Sequence, residues 1–556
     1  MAHFLQLHAV SFNLSNGESL FSNLNGVFSA PITALIGRNG IGKTVLAQLL
    51  AGILSPAEGA ILNCDHAYYL PQHYEISSAT TISGLLGIHQ ILEAITRIES
   101  GSVAELDFEI VADHWLIEQE AMALLEKLDL PALTLEMPAI HLSGGEQMRI
   151  RIASAFLSGK KTLILDEPSN HLDQAQKGKL WEMMQAWQGQ IILISHDRFF
   201  LTKIQAIVEL TSRGLEWFTG NFSDYQTMKQ DAQLRAIETL ASAKHQEKRR
   251  KVVMQEQIER QQKRTAQANR DRGQQNQAKI LLDRQKNRSD LTTGKTQQKM
   301  DRVIQAGVER VSSARSAVDQ ADIIHLHPLP TLTHQPAIIA RLENVRLPFI
   351  DNLSENGPGK GIDDRSAKGL NLMIRPNDRI AIRGDNGIGK SLLLQVIAGI
   401  LRPQKGQAGT FVKHAYLDQH LTTLNLEESL LTQISKGRTH EAIVLLRMQL
   451  AQLGLRASHI EKPCGLLSGG ERLKGALALI LYDESPAGLL LLDEPSNHLD
   501  LASLNALEAM LNLYQGGLVV ISHDDHFLQN IKIETEIIRV NGQWIVQPLN
   551  IDGDEL

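Results

Sequence analysis

The sequence predicts an α/β protein in which one domain occurs twice in tandem, the copies joined by a long charged helical hairpin. Three observations predict it. A glycine-rich loop set between a strand-like and a helix-like segment appears in both halves. Three further motifs follow it in the same order each time. Between the halves lies a stretch of good helix formers without proline or aromatic residues. The 556 residues correspond to about three to five compact units. With 43% hydrophobic and 21% charged residues, the chain has the composition of a globular protein with a sizeable core.

The first loop is Gly37-Arg38-Asn39-Gly40-Ile41-Gly42-Lys43-Thr44, after the strand-like Pro31–Ile36 and before the helix-like Val45–Leu50. It recurs as Gly384-Asp385-Asn386-Gly387-Ile388-Gly389-Lys390-Ser391, between Arg379–Arg383 and Leu392–Ile397. In such a loop the glycines let backbone N–H groups wrap phosphates and the lysine neutralises the β/γ charge. Thr44 or Ser391 can then ligate Mg²⁺ beside a bound nucleoside triphosphate such as ATP. Leu142-Ser143-Gly144-Gly145-Glu146 recurs as Leu467-Ser468-Gly469-Gly470-Glu471. A serine and two glycines opening a helix make a second anion site, redundant within one domain unless it serves a neighbour's nucleotide.

Leu163-Ile164-Leu165-Asp166-Glu167 and Leu490-Leu491-Leu492-Asp493-Glu494 read as buried strands ending in two carboxylates. The strand-end Asp166 or Asp493 suits a metal, and Glu167 or Glu494 can polarise an attacking water. His196 and His523 follow apolar strands and could bond a γ-phosphate. Lys43 to Gln72 and Lys390 to Gln419 are both 29 positions, and Asp166 to His196 and Asp493 to His523 both 30. Only the middle differs. Gln72 to Ser143 is 71 positions against 49 for Gln419 to Ser468, which places about 22 extra residues near Ala94–Gln119.

These landmarks divide the chain into a first copy over 1–225, a linker over 226–334 and a second copy over 335–556 with a loose insertion at 351–368. From Ala241 to Met300 the linker holds 16 Lys and Arg, 6 Asp and Glu and 12 Gln, a net +10 in a chain of net charge −7. The pattern predicts a helix from about Tyr225 to Asn287, a turn over Arg288–Lys295 marked by Thr292-Thr293-Gly294, and a returning helix to about Val318. Lys248, Arg249, Arg250, Lys251, Lys263, Arg264, Arg270 and Arg272 form a basic surface without aromatic stacking platforms. That chemistry reads phosphates and shape, not bases.

Other classes are excluded or disfavoured. No run approaches the ~18–20 apolar residues of a spanning helix, and the N-terminus lacks the pattern of a secretory signal. Cys64 and Cys464, 400 positions apart, make neither a metal knuckle nor a disulfide framework, so a reducing cytoplasm is expected.

Together the four repeated motifs resemble the ATP-binding cassette superfamily, over about 1–225 and 335–550. The resemblance implies two cassettes facing head to tail, so that Lys43 meets Ser468, Gly469 and Gly470, and Lys390 meets Ser143, Gly144 and Gly145. It implies that Gln72 and Gln419 touch metal and water, and that an aromatic residue stacks on adenine. Phe12 holds that place in the first copy, and Leu347 in the second. Pro-Ser-Asn-His-Leu-Asp after each glutamate, Phe218–Tyr225 before the linker and the lack of a membrane span resemble the F subfamily in particular. That implies a ribosome-associated ATPase, monomeric with intramolecular cassette pairing. Its linker would reach rRNA and tRNA near the tRNA sites, tuning translation or protecting the ribosome from antibiotics. The extra residues near Ala94–Gln119 resemble a short form of the subfamily's ribosome-touching arm. The alternatives are an ATPase subunit of a transporter, in which the basic linker has no role, and a DNA-associated cassette protein, whose zinc modules or far longer coiled coils are missing here.

Overall fold

In the computed structural model each half is built on a six-stranded, mainly parallel sheet. The structure describes residues 4–15, 17–72, 74, 77, 80–130, 133–170, 172–272, 305–306, 309–313, 335–348, 369–418, 421, 424–453, 455, 457–482, 485–497, 499–540 and 542–549. The strands of the first half are β1 (Gln6–Asn13), β2 (Ser19–Val27), β3 (Ile32–Gly37), β4 (Glu58–Leu62), β5 (Ala67–Leu70), β6 (Thr162–Asp166), β7 (Gln190–Ile194), β8 (Ala206–Thr211) and β9 (Gly214–Thr219). Those of the second are β10 (Ala340–Arg346), β11 (Leu370–Ile374), β12 (Arg379–Ile382), β13 (Lys405–Thr410), β14 (His414–Leu417), β15 (Leu489–Asp493), β16 (Gly517–Ile521), β17 (Thr535–Val540) and β18 (Gln543–Pro548).

The large sheets run β5-β6-β7-β3-β8-β9 and β14-β15-β16-β12-β17-β18, each with only its last strand antiparallel. Small antiparallel sheets, β2-β1-β4 and β11-β10-β13, complete each half. Every residue of β6, β7, β15 and β16 is buried. Covered on both faces, these strands must be apolar throughout, which is why they read as continuous runs such as Leu489–Leu492. Each such side chain contributes about 1.5–3 kcal/mol by leaving water. The helix Lys43–Leu50 is clamped between the two sheets: Leu46, Leu49 and Leu50 share one core with Leu7, Val10 and Phe21 of the small sheet and Ile164 and Ile192 of the large one. The topology positions the chemistry. The parallel strands β6, β7 and β3 lie side by side, so the loops leaving their C-terminal ends gather residues 37–44, 166–167 and 195–197 at one rim.

Between β5 and β6 the helices His89–Glu99 and Glu105–Val111 form a hairpin that has no counterpart between β14 and β15 among the described residues. Arg97 closes it, its Nε and Nη2 donating to Asp107 Oδ1 at 2.9 and 2.7 Å. The hairpin begins about five residues before the expected Ala94, because Ile88, Ile117 and Ala121 on either side are already part of a shared helical core with Ile150 and Ala153.

Two compact units emerge, Met1–Phe222 with Leu326–Leu556, and Ser223–His325. The linker helix is described over Phe222–Arg272, 51 residues and roughly 77 Å long. It begins three residues before the expected Tyr225, with Asp224 in its first turn complementing the helix dipole. Lys248, Arg249, Arg250 and Lys263 are exposed on it. Residues 309–313 are helical. The turn at Arg288–Lys295, most of the returning segment, the insertion at 351–368 and Gln419 lie outside the described residues. No helix among those described is long and apolar enough to cross a membrane.

Candidate functional site

Each glycine-rich loop turns from its strand into a helix through left-handed glycines. Gly40 and Gly42 have φ of 77° and 103°, and Gly387 and Gly389 of 82° and 97°. A Cβ at Gly40 or Gly387 would meet nothing within 4 Å, so both positions open onto free space, as a cradle for phosphate oxygens requires. Lys43 Nζ donates to the carbonyls of Gly37 at 2.7 Å and Arg38 at 3.2 Å, and lies 3.5 Å from Asn39 Oδ1. Lys390 repeats this with Gly384 at 2.7 Å, Asp385 at 3.0 Å and Asn386 at 3.5 Å. Burial pulls both ammonium groups below the usual lysine range, with the surrounding carboxylates opposing it.

Thr44 Oγ1 donates to Asp166 Oδ2 at 2.8 Å, and Tyr69 Oη donates to the same oxygen at 3.1 Å. In the second half Ser391 and Tyr416 bond Asp493. Hydroxyl and carboxylate oxygens suit a hard cation such as Mg²⁺. Among the described residues no group of three or more His, Cys, Asp or Glu could hold a metal alone, so these oxygens would need phosphate oxygens to complete a shell.

The glutamates after these aspartates adopt φ of 50° at Glu167 and 47° at Glu494. A left-handed glutamate costs on the order of 1–3 kcal/mol and persists only where its surroundings impose it. Here the N–H of Glu167 donates to the Ile194 carbonyl at 2.8 Å, and that of Glu494 to Ile521 at 3.0 Å. The turn sends each glutamate away from its aspartate and toward the histidine of the next strand. His196 Nε2 lies 3.9 Å from Glu167 Oε1, and His523 Nε2 lies 3.5 Å from Glu494 Oε1. Burial raises Glu494 to about 7 and also raises Glu167, opposed by Lys390 and Lys43 respectively. Burial lowers His523 to about 3 and lowers His196 too, assisted by the neighbouring lysines. At both sites burial favours the neutral imidazole.

Ser143 and Ser468 are N-caps of the helices Gly144–Leu157 and Gly469–Leu481. Ser143 N–H and Oγ–H both donate to Glu146 Oε2, at 2.8 and 2.7 Å, and Glu146 N–H returns to Ser143 Oγ at 3.3 Å. The second copy repeats all three bonds. Ser-x-x-Glu is a capping box visible in the sequence. It aims the helix N-terminus, with Gly144 or Gly469 open to free space, at whatever lies opposite.

What lies opposite is the other cassette. One cavity of 1030 Å³ joins Ser143–Gly145 to Lys390 and Ser391, with Glu494 and His523 on its wall. A second, of 830 Å³, joins Ser468 and Gly469 to Lys43, Thr44 and Gln72, with Glu167 and His196. The seam is tied by contacts that spacing did not reveal. Asn39 N–H donates to Asp500 Oδ2 at 2.9 Å, and hydrogen bonds from Ser503 and Asn39 hold Asp500 low against its burial. Asp173 of the first copy faces Lys390. Arg198 Nη1 pairs with Glu508 at 2.5 Å and Nη2 donates to Asn505 Oδ1 at 2.8 Å. Asp173 and Asp500 end the repeated Pro-Ser-Asn-His-Leu-Asp motif, which was their only signal. Arg198 has none, since the matched residue is Asp525.

The two positions read for adenine lie on or beside the small sheets. Phe12, partly buried, pairs with Phe21 across β1 and β2 and packs on the first core, and Leu347 is buried in the second. Neither lines the two cavities above. Leu14 and Leu20 are among the apolar residues that line the Lys43 cavity. Gly145 lies on the Lys390 cavity beside Gly144, whereas a Cβ on Gly470 would meet Ser503 Oγ at 3.0 Å, so that glycine serves close helix packing.

Comparison with known proteins adds an independent finding. The sequence profile described as ABC transporter matches residues 25–170 and 367–497. The probable ATP-binding protein YheS of Haemophilus influenzae is 30% identical over 517 residues, covering 89% of this chain and 73% of the relative. The ribosome protection protein VmlR of Bacillus subtilis is 28% identical, covering 98% and 88%. The energy-dependent translational throttle protein EttA of Mycobacterium tuberculosis is 28% identical, covering 89% and 84%. Among solved structures, one described as RNase-L Inhibitor superposes with a TM-score of 0.53 at 16% identity, covering 98% of this chain and 90% of the other, a likeness of fold.

Proposed function

Since the chain belongs to the ATP-binding cassette family, in its F branch, we propose that it binds the ribosome and couples ATP-driven closure of its two cassettes to insertion of its basic linker near the tRNA sites. The chain is an ATPase, and its cassettes bind ATP. In this reading the loop N–H groups and Lys43 or Lys390 hold the β/γ-phosphates. The capped helix of the opposite cassette closes on the γ-phosphate through Ser468 or Ser143. Glu167 or Glu494, turned off the strand end, orients the attacking water and accepts its proton, while the neutral His196 or His523 holds the γ-phosphate. Thr44 with Asp166, and Ser391 with Asp493, would hold Mg²⁺, which neutralises charge developing on the phosphates; Gln72 and Gln419 would touch it and the water.

The single observation that carries the ribosomal reading is the linker: a net +10 over Ala241–Met300, with exposed Lys248, Arg249 and Arg250 on one long helix. Relatives named for ribosome protection and translational throttling support it. Exposed cations without stacking aromatics bind polyanion backbones and release counterions. Replacing Lys248, Arg249, Arg250 and Lys251 with Gln keeps helix propensity. In sedimentation with ribosomes across a salt series, using the Glu167→Gln/Glu494→Gln form, this variant is expected to bind more weakly. Its salt slope should be shallower by up to about 0.7–0.9 per lost phosphate contact. Equal affinity and slope for parent and variant would reduce the linker to a spacer.

A further inference from the structure

The two composite sites carry the same motifs but receive different charges across the seam. At the Lys390 site, the helix Gln174–Ala186 of the first cassette delivers Lys177, which lines the cavity with Glu494, His523 and Asp524. Its ammonium is paired with Asp197 Oδ2 at 2.7 Å and its side chain is only 9% exposed. Across the seam it acts on Asp524 and Glu494, and on His523. At the Lys43 site the matched position is Leu504, 327 residues on, as Asp493 is from Asp166. Among the described residues, the cation from the second cassette that lines the Lys43 cavity is Arg472, on the capped helix.

We propose that Lys177 is a positioning residue that makes the two ATP sites unequal, fixing Glu494 and the His523 loop of the opposite cassette when the Lys390 site closes. Its direct ion pair is with Asp197 of its own cassette, and the closed seam sets Glu494 and Asp524 of the second cassette on the same cavity wall, where the ammonium is held out of water beside them. Closure at the Lys390 site is thereby tied to the placement of the glutamate beside its phosphates. At the Lys43 site the matched Leu504 offers no ammonium and lines the Lys390 cavity instead, so this tie is lacking. The adjacent pairs extend the same seam: Gln174 Nε2 donates to Asp525 Oδ2 at 3.4 Å, and Arg198 meets Glu508.

The inference rests on the assignment of Glu167 and Glu494 above, and the test separates the two. Single-turnover ATP hydrolysis is measured in Glu167→Gln, where only the Lys390 site turns over, and in Glu494→Gln, where only the Lys43 site does. Adding Lys177→Met, similar in volume but uncharged, should slow the Glu167→Gln protein about 10–100-fold, the range for removing a group that orients those touching the reacting centre. ATP affinity should be little changed and the Glu494→Gln protein should stay within about twofold. Lys177→Arg should restore most of the lost rate. Should Lys177→Met misfold, Asp524→Asn keeps the cap on Phe527 N–H and removes one partner charge, and should slow the same site alone. An equal slowing of both sites, or none at the Lys390 site, overturns the proposal. If either single Glu→Gln protein still hydrolyses ATP at both sites, the glutamate assignment falls and takes this inference with it.

Discussion

The Lys43 and Lys390 sites share a backbone but not a neighbourhood. Loop glycines, lysine contacts and capping boxes agree to within a few tenths of an ångström. The differences lie at the histidines and where one cassette meets the other. His523 Nε2 reaches Lys390 Nζ at 3.0 Å, whereas neither ring nitrogen of His196 has a hydrogen-bond partner. Arg198 pairs with Glu508 of the second cassette and Lys177 lines the Lys390 cavity, while their counterparts are Asp525 and Leu504. Chemistry that requires a fixed phosphate cradle is duplicated, while the groups that govern closing need satisfy only one seam and are free to differ.

The largest effect expected is the loss of both glutamates. Glu167→Gln with Glu494→Gln should lower phosphate release by about 10²–10⁴-fold, the share of a general base, with nucleotide binding retained. Parental turnover in the double variant would remove these carboxylates from the chemistry. An intermediate effect should separate the two sides of the seam. Arg198→Met leaves Glu508 buried without its cation and should destabilise the cassette unit by about 3 kcal/mol in denaturant melts. Asp525→Asn, at the matched position, weakens a pair 22% and 27% exposed and should cost about 1 kcal/mol or less. Equal costs would erase the asymmetry. The smallest effect concerns the base. Leu14→Ala, at the cavity edge and 36% exposed, should weaken ATP binding at the Lys43 site by about 1 kcal/mol or less. Phe12→Ala should lower stability and leave that affinity unchanged; the reverse pattern would restore Phe12 as the stacking residue.

The fold was legible because its signals are local. Buried parallel strands must be apolar, phosphate loops must be glycine-rich, and the repeat supplied each motif twice. The rim that gathers Lys43, Asp166, Glu167 and His196 follows from strand order once those strands are recognised. Three features were not legible for a physical reason. The left-handed turn at Glu167 and Glu494 is imposed by a neighbouring strand's carbonyl and leaves no mark on residue type. Arg198 acquires its meaning from Glu508, 310 positions away, and Lys177 shares a cavity wall with Glu494 of the other copy. Phe12, placed by its position relative to a motif, pairs across the sheet with Phe21, a neighbour that the motif does not reveal. The capping boxes at Ser143 and Ser468 are the opposite case: Ser-x-x-Glu spacing writes them in the sequence, where the segment reads first as an anion site.

The central claim is that each ATP site is made by both cassettes, head to tail, and Ser143→Arg tests it most directly. The substitution puts a bulky cation on the helix N-terminus that faces Lys390. Hydrolysis is followed over a single turnover in the Glu167→Gln and Glu494→Gln backgrounds, with ATP occupancy measured at each site. The account predicts that Ser143→Arg silences the Glu167→Gln protein, whose only competent site holds Lys390, and spares the Glu494→Gln protein. Loss at the Lys43 site with the Lys390 site intact would contradict the pairing.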